Sequence, residues 1–140
     1  MNLPADITTF EELICLTPTS EDEFTAQSPE YTWGRVYGGQ VVAQALNAAK
    51  HTVDPSYLVH SIHAYFIRGG SSDELIQFEV DRLRDGRSFV TRRVVALQST
   101  GAILNLSASF QLVEDGPKVQ NMSLPDNLPS PEELKSENWF

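Results

Sequence analysis

The sequence predicts an α+β domain in which one long helix covers an antiparallel sheet. Three observations carry this. Residues 36–50, Val-Tyr-Gly-Gly-Gln-Val-Val-Ala-Gln-Ala-Leu-Asn-Ala-Ala-Lys, place apolar side chains at Val41, Val42, Ala45, Leu46 and Ala49. That spacing makes one apolar face at a period of 3.6. From Leu58 to Val113 the chain is rich in β-formers, and the stretch from Leu75 alternates Ile76, Phe78 and Val80 with Gln77, Glu79 and Asp81. Two turn signals, Asp85-Gly86 and Ser99-Thr100-Gly101, separate successive strands, so the neighbours run antiparallel. A sheet with one apolar face needs cover, and the central helix alone is long and apolar enough to supply it.

The elements follow in order. Thr8 to Leu16 reads as a short helix, with Thr9 as N-cap, Glu12 completing a capping box, and Phe10, Leu13 and Ile14 as a narrow apolar face. Pro18 stops it. Glu23 to Gln27 is expected as a short edge strand. The central helix spans about Gly39 to Lys50 and is closed by Asp54-Pro55. The strands are Leu58–Ile67, Leu75–Leu83, Ser88–Gln98 and Ala102–Val113. The Asp-Gly pair between the second and third suits a primed turn. After Val113 the chain is rich in Pro, Asp, Asn and Ser and has no apolar period, so 1–113 is read as the domain and 114–140 as an extended acidic linker or tail. Pro131-Glu132-Glu133-Leu134 opens a helix that the chain does not complete.

A chain of 140 residues predicts a single domain with a real core. Cys15 is the only cysteine, which excludes an internal disulfide and a Cys-based zinc cluster and makes a reducing cytoplasm the default setting. No apolar run is long enough to span a bilayer, and the N-terminus lacks the basic and hydrophobic regions of a secretory leader. The net charge is −9, unevenly spread. Residues 1–30 carry seven acids and no Lys or Arg, residues 114–140 six acids against two lysines, and residues 31–113 six acids against eight Lys/Arg, a balance of +2. The acidic flanks argue against nucleic acid and anionic membranes, while the middle can receive a phosphate-bearing small molecule.

Gly38-Gly39 ahead of the helix allows close approach and leaves the first N–H groups of the helix uncovered, which suits an anion or a polarised carbonyl. The simpler reading is a plain turn. Neither a P-loop nor a dinucleotide fingerprint is present. His60-x-x-His63 falls on a strand, where positions three apart face opposite sides, so no metal site is expected.

Four motifs, Val36-Tyr-Gly-Gly-Gln-Val-Val-Ala-Gln-Ala-Leu46, Leu58-Val-His-Ser-Ile-His-Ala-Tyr-Phe-Ile-Arg-Gly-Gly70, Leu83-Arg-Asp-Gly-Arg-Ser-Phe89 and Ala108-Ser-Phe-Gln111, resemble in order the first half of the acyl-CoA thioesterase II family. The resemblance covers about residues 8–131. It implies a hotdog fold, an antiparallel sheet wrapped around one central helix. It also implies hydrolysis of fatty acyl-CoA to fatty acid and CoA without metal or cofactor. Family members join two hotdogs, and the catalytic Asp, Ser/Thr and Gln lie in the second. Superposing the halves by pattern puts Gly38, Val59 and Ser109 at those places, and none of the three can do that work. The alternative is therefore a non-catalytic half that supplies interface and acyl-pocket wall to a catalytic partner. A hydratase is disfavoured because no Asp-x-x-x-x-His motif occurs. Pairing of hotdogs, with another copy or with a second half, predicts an oligomer.

Within that family the site candidates are these. Backbone N–H groups of Gly39 and Gln40, beside Gly38, would polarise the thioester carbonyl. His60, on the otherwise apolar face of its strand, is the candidate general base, with a structural histidine as the plainer reading. Arg68, Arg84 and Arg87, in loops, are candidates for the CoA phosphates, with solvated loop arginines as the plainer reading. Arg92 and Arg93 lie on alternate faces of one strand, and one of them is expected to pair with an acid on a neighbouring strand or subunit.

Overall fold

The computed structural model describes residue 7 and residues 9–134. Thr8, at the expected start of the first helix, and both ends of the chain lie outside the described residues. The elements are α1 (Phe10–Leu13), β1 (Thr17–Pro18), β2 (Glu23–Ala26), α2 (Gly38–His51), β3 (Tyr57–Phe66), β4 (Ile76–Asp85), β5 (Phe89–Gln98) and β6 (Gly101–Leu112), with a 3₁₀ turn at Pro131–Glu133. All strand pairs are antiparallel, in the order β1-β2-β4-β5-β6-β3. This is the hotdog arrangement that the resemblance implies.

The core lies between the sheet and α2. Ile76 and Phe78 of β4, Val90, Val94 and Ala96 of β5, and Leu104, Leu106, Ala108 and Phe110 of β6 are buried against Val41, Ala45, Ala48 and Ala49. The three alanines let the helix backbone approach the sheet closely. From Val90 to Ala96 and from Leu104 to Phe110 the even-numbered residues thus face the helix, and the odd-numbered ones form the outer face.

Four local expectations are corrected. The capping box at Thr9 and Glu12 forms, but α1 makes only one turn. β2 is not an edge strand: Thr17–Pro18 pairs outside it, a two-residue strand too short to show a period. The β4–β5 connection is not a two-residue primed turn. Gly86 has an ordinary negative φ, residues 86–88 form the loop, and the Tyr57 hydroxyl donates to the Gly86 and Arg87 carbonyls at 3.2 and 2.9 Å. Gly86 is needed there because a Cβ would lie 2.7 Å from the Phe89 carbonyl oxygen. The fourth correction concerns β3, whose register against β6 shifts between Val59 and Ser61. Val59 stands opposite Phe110, Ser61 opposite Ser109, and His60 is the extra residue. A bulge of this kind reverses the alternation beyond it.

The other turn matches its signal: Gly101 follows Ser99-Thr100 with φ +99°, a conformation that favours glycine. After Leu112 the chain runs to residue 130 without helix or strand and is exposed from 113.

Candidate active site at the start of the central helix

The helix start is shaped by two aromatic rings. A Cβ on Gly38 would lie 2.9 Å from the Phe66 ring, and one on Gly39 would lie 2.6 Å from the Tyr37 ring. Both positions therefore need glycine unless a ring moves. Tyr37 is the N-cap but makes no side-chain cap, and the first turn holds no acid. Among the described residues the Gly38 and Gly39 N–H groups meet no acceptor, while those of Gln40 and Val41 both donate to the Tyr37 carbonyl at 3.1 and 3.3 Å. The pair of free donors is thus Gly38 with Gly39, one residue earlier than the Gly39 and Gln40 pair expected from the sequence. Gly38 borders a recess of about 350 Å³ bounded also by Val36, Phe66, Arg68, Gly70 and Ile103.

The Gln40 side chain is structural. It is buried, its Oε1 accepts from the Tyr31 hydroxyl at 2.9 Å, and its Nε2 donates to Ser28 Oγ at 2.8 Å and the Gln27 carbonyl at 3.3 Å. Gln44 Nε2 donates to the carbonyls of Leu13 and Gln27 at 2.7 and 3.0 Å, and Asn47 Nδ2 to that of Ile14 at 2.8 Å. This amide ladder ties the helix to the N-terminal segment. It was missed because glutamines on a helix read as its solvent side. Their i, i+4 spacing beside a run of alanines was the available signal.

The remaining candidates are scattered. Arg68 is near the helix start, with Nη1 donating to the Ala102 carbonyl at 2.7 Å. Arg84 lies within β4 rather than in a loop and Arg87 in the β4–β5 loop, both at the opposite end of the 14-residue helix, a distance of about 20 Å at 1.5 Å per residue. His60 is not on the apolar face. The bulge turns it outward, where it is exposed and meets Phe89 edge-on at 6.0 Å. For the same reason His63, edge-on to Tyr65 at 4.6 Å, shares its face rather than opposing it. Among the described residues no group of three His, Cys, Asp or Glu side chains can hold a metal. Gly38, Val59 and Ser109 do not converge: Gly38 is beside Phe66, and Val59 is seven residues away along β3.

Both strand arginines find acids. Arg93 pairs with Asp81 directly across β4 on the outer face. Arg92, only 1% exposed, points inward. Its Nε donates to Thr52 Oγ1 at 2.8 Å, its Nη2 to the Thr52 carbonyl at 2.9 Å and to Asp85, and its Nη1 to the carbonyls of Arg84 and Thr91 at 3.1 and 3.0 Å. A second, more apolar cavity of about 670 Å³ lies at this end, lined among others by Phe10, Ile14, Leu46, Val53, Leu58 and Phe110.

The sheet and its helix form a hotdog, and the comparisons identify the family. Residues 27–111 match the model of the acyl-CoA thioesterase N-terminal domain, and the chain belongs to that family. It is 41% identical over 115 residues to acyl-CoA thioesterase 2 of Haemophilus influenzae, covering 82% of this chain and 40% of that protein. It is 40% identical over 119 residues to human acyl-coenzyme A thioesterase 8, covering 85% and 37%. The crystal structure of acyl-CoA thioesterase II TesB2 from Mycobacterium marinum superposes with a TM-score of 0.79 at 38% identity, over 91% of this chain and 47% of that one. The chain thus spans about two fifths of the length of these curated relatives. No helix among the described residues is long and apolar enough to cross a membrane.

Proposed function

We propose that this chain is the first hotdog domain of an enzyme that hydrolyses fatty acyl-CoA to fatty acid and CoA. The observation that carries the reading is 41% identity, over most of the chain, to a protein named acyl-CoA thioesterase. Water adds to the thioester carbonyl, the C–S bond breaks, and CoA leaves as the thiol. Charge develops on the carbonyl oxygen, and the free Gly38 and Gly39 N–H groups at a helix N-terminus are suited to meet it. The second reactant is water, so the reaction calls for no cofactor. Arg68 stands near enough to this recess to serve the CoA end, whereas Arg84 and Arg87 do not. His60 is exposed and six residues along β3 from Phe66 of the recess, and in this reading it takes no part within one domain.

The partner in this reading is another hotdog, from a second half or a second copy. β3 is a ten-residue edge strand with Leu58, Ile62, Tyr65 and Phe66 exposed, and residues 114–140 act as the linker toward the second half. The compartment is reducing and cytoplasmic, in keeping with a free, exposed Cys15. Turnover of medium- and long-chain acyl-CoA by the chain alone, and by the chain mixed with a second hotdog half, tests the function. Release of free thiol in either case supports it, and background rates in both sink it.

A further inference from the structure

Trp33 and Arg35, in the segment that leads to the helix start, are used by nothing described so far. Tyr31 and Trp33 stack with ring centroids 4.9 Å apart and 21° between their planes. The Tyr31 hydroxyl is anchored on Gln40, and burial, with the nearby Tyr37 hydroxyl, pushes its phenol above the usual tyrosine range. Tyr31 is therefore a fixed base for Trp33, whose indole is 63% exposed, and Tyr37 is 62% exposed. Between them in the chain is Arg35. Its backbone bridges to Ser71, and its side chain passes over Gly69, 3.5–3.7 Å from where a Cβ would be. Arg68 is the residue before Gly69.

The charge pattern sharpens this. The chain has 19 acids against ten Lys/Arg, yet among the described residues neither Arg35 nor Arg68 has a carboxylate within ion-pair distance. Arg35 has no hydrogen bond at all among these residues, and Arg68 spends one donor on Ala102. In so acidic a chain, two uncompensated guanidinium groups, one of them two residues from an exposed indole in the segment leading to the helix, suit a ligand that joins phosphates to an aromatic ring.

We propose that this face binds the nucleotide end of the acyl-CoA, with adenine stacked on Trp33 and the phosphates held by Arg35 and Arg68. The inference rests on the thioesterase reading for the identity of the whole substrate. It deepens that reading by assigning Trp33 and Arg35 to a nucleotide subsite, from which the pantetheine arm enters the recess at Gly38 and Phe66.

The test uses the full chain with Trp139→Phe, which leaves Trp33 as the sole tryptophan. Titration with adenosine 3′,5′-bisphosphate is expected to quench Trp33 saturably. Adenosine alone and inorganic phosphate alone are each expected to bind at least about tenfold more weakly, since stacking and phosphate contacts both contribute. Replacing both arginines, Arg35→Ala with Arg68→Ala, is expected to weaken the nucleotide about tenfold or more, with circular dichroism confirming that the fold is kept. The inference is overturned by the absence of quenching at millimolar nucleotide, by equal quenching in the double variant, or by a Trp33 response only to a second hotdog half, which makes the face an interface. The two readings separate cleanly. Hydrolysis of an S-acyl pantetheine, which has no nucleotide, without any Trp33 quenching overturns the subsite alone. Quenching without thioester hydrolysis, with or without the second half, overturns the thioesterase alone.

Discussion

The two ends of α2 are treated in opposite ways. At the C-terminal end, Lys50 and His51 occupy the last turn, the Thr52 and Val53 N–H groups donate to the carbonyls of Ala49 and Lys50, and the buried Arg92 donates to the Thr52 carbonyl and hydroxyl. Carbonyls that a helix normally leaves orphaned are met by a cation placed where the helix dipole favours one. At the N-terminal end there is no side-chain cap and no acid, and the Gly38 and Gly39 donors are unmet. Stability is concentrated where the helix is closed, and binding capacity is left where it is open. The missing cap is local to the proposed site, since the same helix is capped with care some 20 Å away.

Variants can break this contrast or sharpen it. Removing the C-terminal clamp should cost most: Arg92→Met is expected to destabilise by about 2–4 kcal/mol in urea unfolding. It strands the Thr52, Arg84 and Thr91 carbonyls, whereas Asp85, 59% exposed, can turn to water. A loss under about 1 kcal/mol would show that the closed end does not depend on the clamp. Gln40→Ala, just inside the open end, leaves Ser28 and the Tyr31 hydroxyl without their buried partner and should cost about 1–3 kcal/mol by the same measurement. Gly38→Ala pushes a methyl into the Phe66 ring and should cost about 1–2 kcal/mol, with Phe66→Leu in the same chain recovering most of it. Failure of that recovery would mean the ring is not what requires glycine.

The smallest effect is one of pH, just past the closed end. Hydrogen bonds from the Ser56 hydroxyl and then its N–H hold the Asp54 carboxyl below its usual range, against a slight opposing effect of burial. A carboxyl whose folded pKa lies below its unfolded one lends stability above the unfolded pKa and loses it as pH falls through the folded value. Ser56→Ala should move the Asp54 titration up toward the ordinary carboxylate range, read by NMR. An unmoved titration would leave the backbone N–H as the sole cause.

Much of this was legible from period and turn chemistry. α2 extends from Gly38 to His51 against an expected 39–50, and the four long strands fall within about two residues of their expected limits. The capping box at Thr9 and Glu12 is a local signature and formed as one. What escaped was anything decided by a single residue or by a distant partner. The β3 bulge has no glycine or proline to mark it, yet it reversed the side on which His60 stands. The fate of Gln40 and Gln44 depended on carbonyls up to 31 residues away. Gly38-Gly39 was readable as an open helix start, but which N–H groups stay free depended on the Tyr37 carbonyl.

The sheet also has a direction of growth. At one margin stands β1, two residues long, ending in Pro18, which has no N–H to offer a newcomer. At the other stands β3, ten residues with a full ladder on its open side. Strands can add at the second margin and find almost nothing to template them at the first. Two such sheets joined through β3 would leave β1 as the outer margin of each, a poor template for the runaway stacking that feeds fibrils.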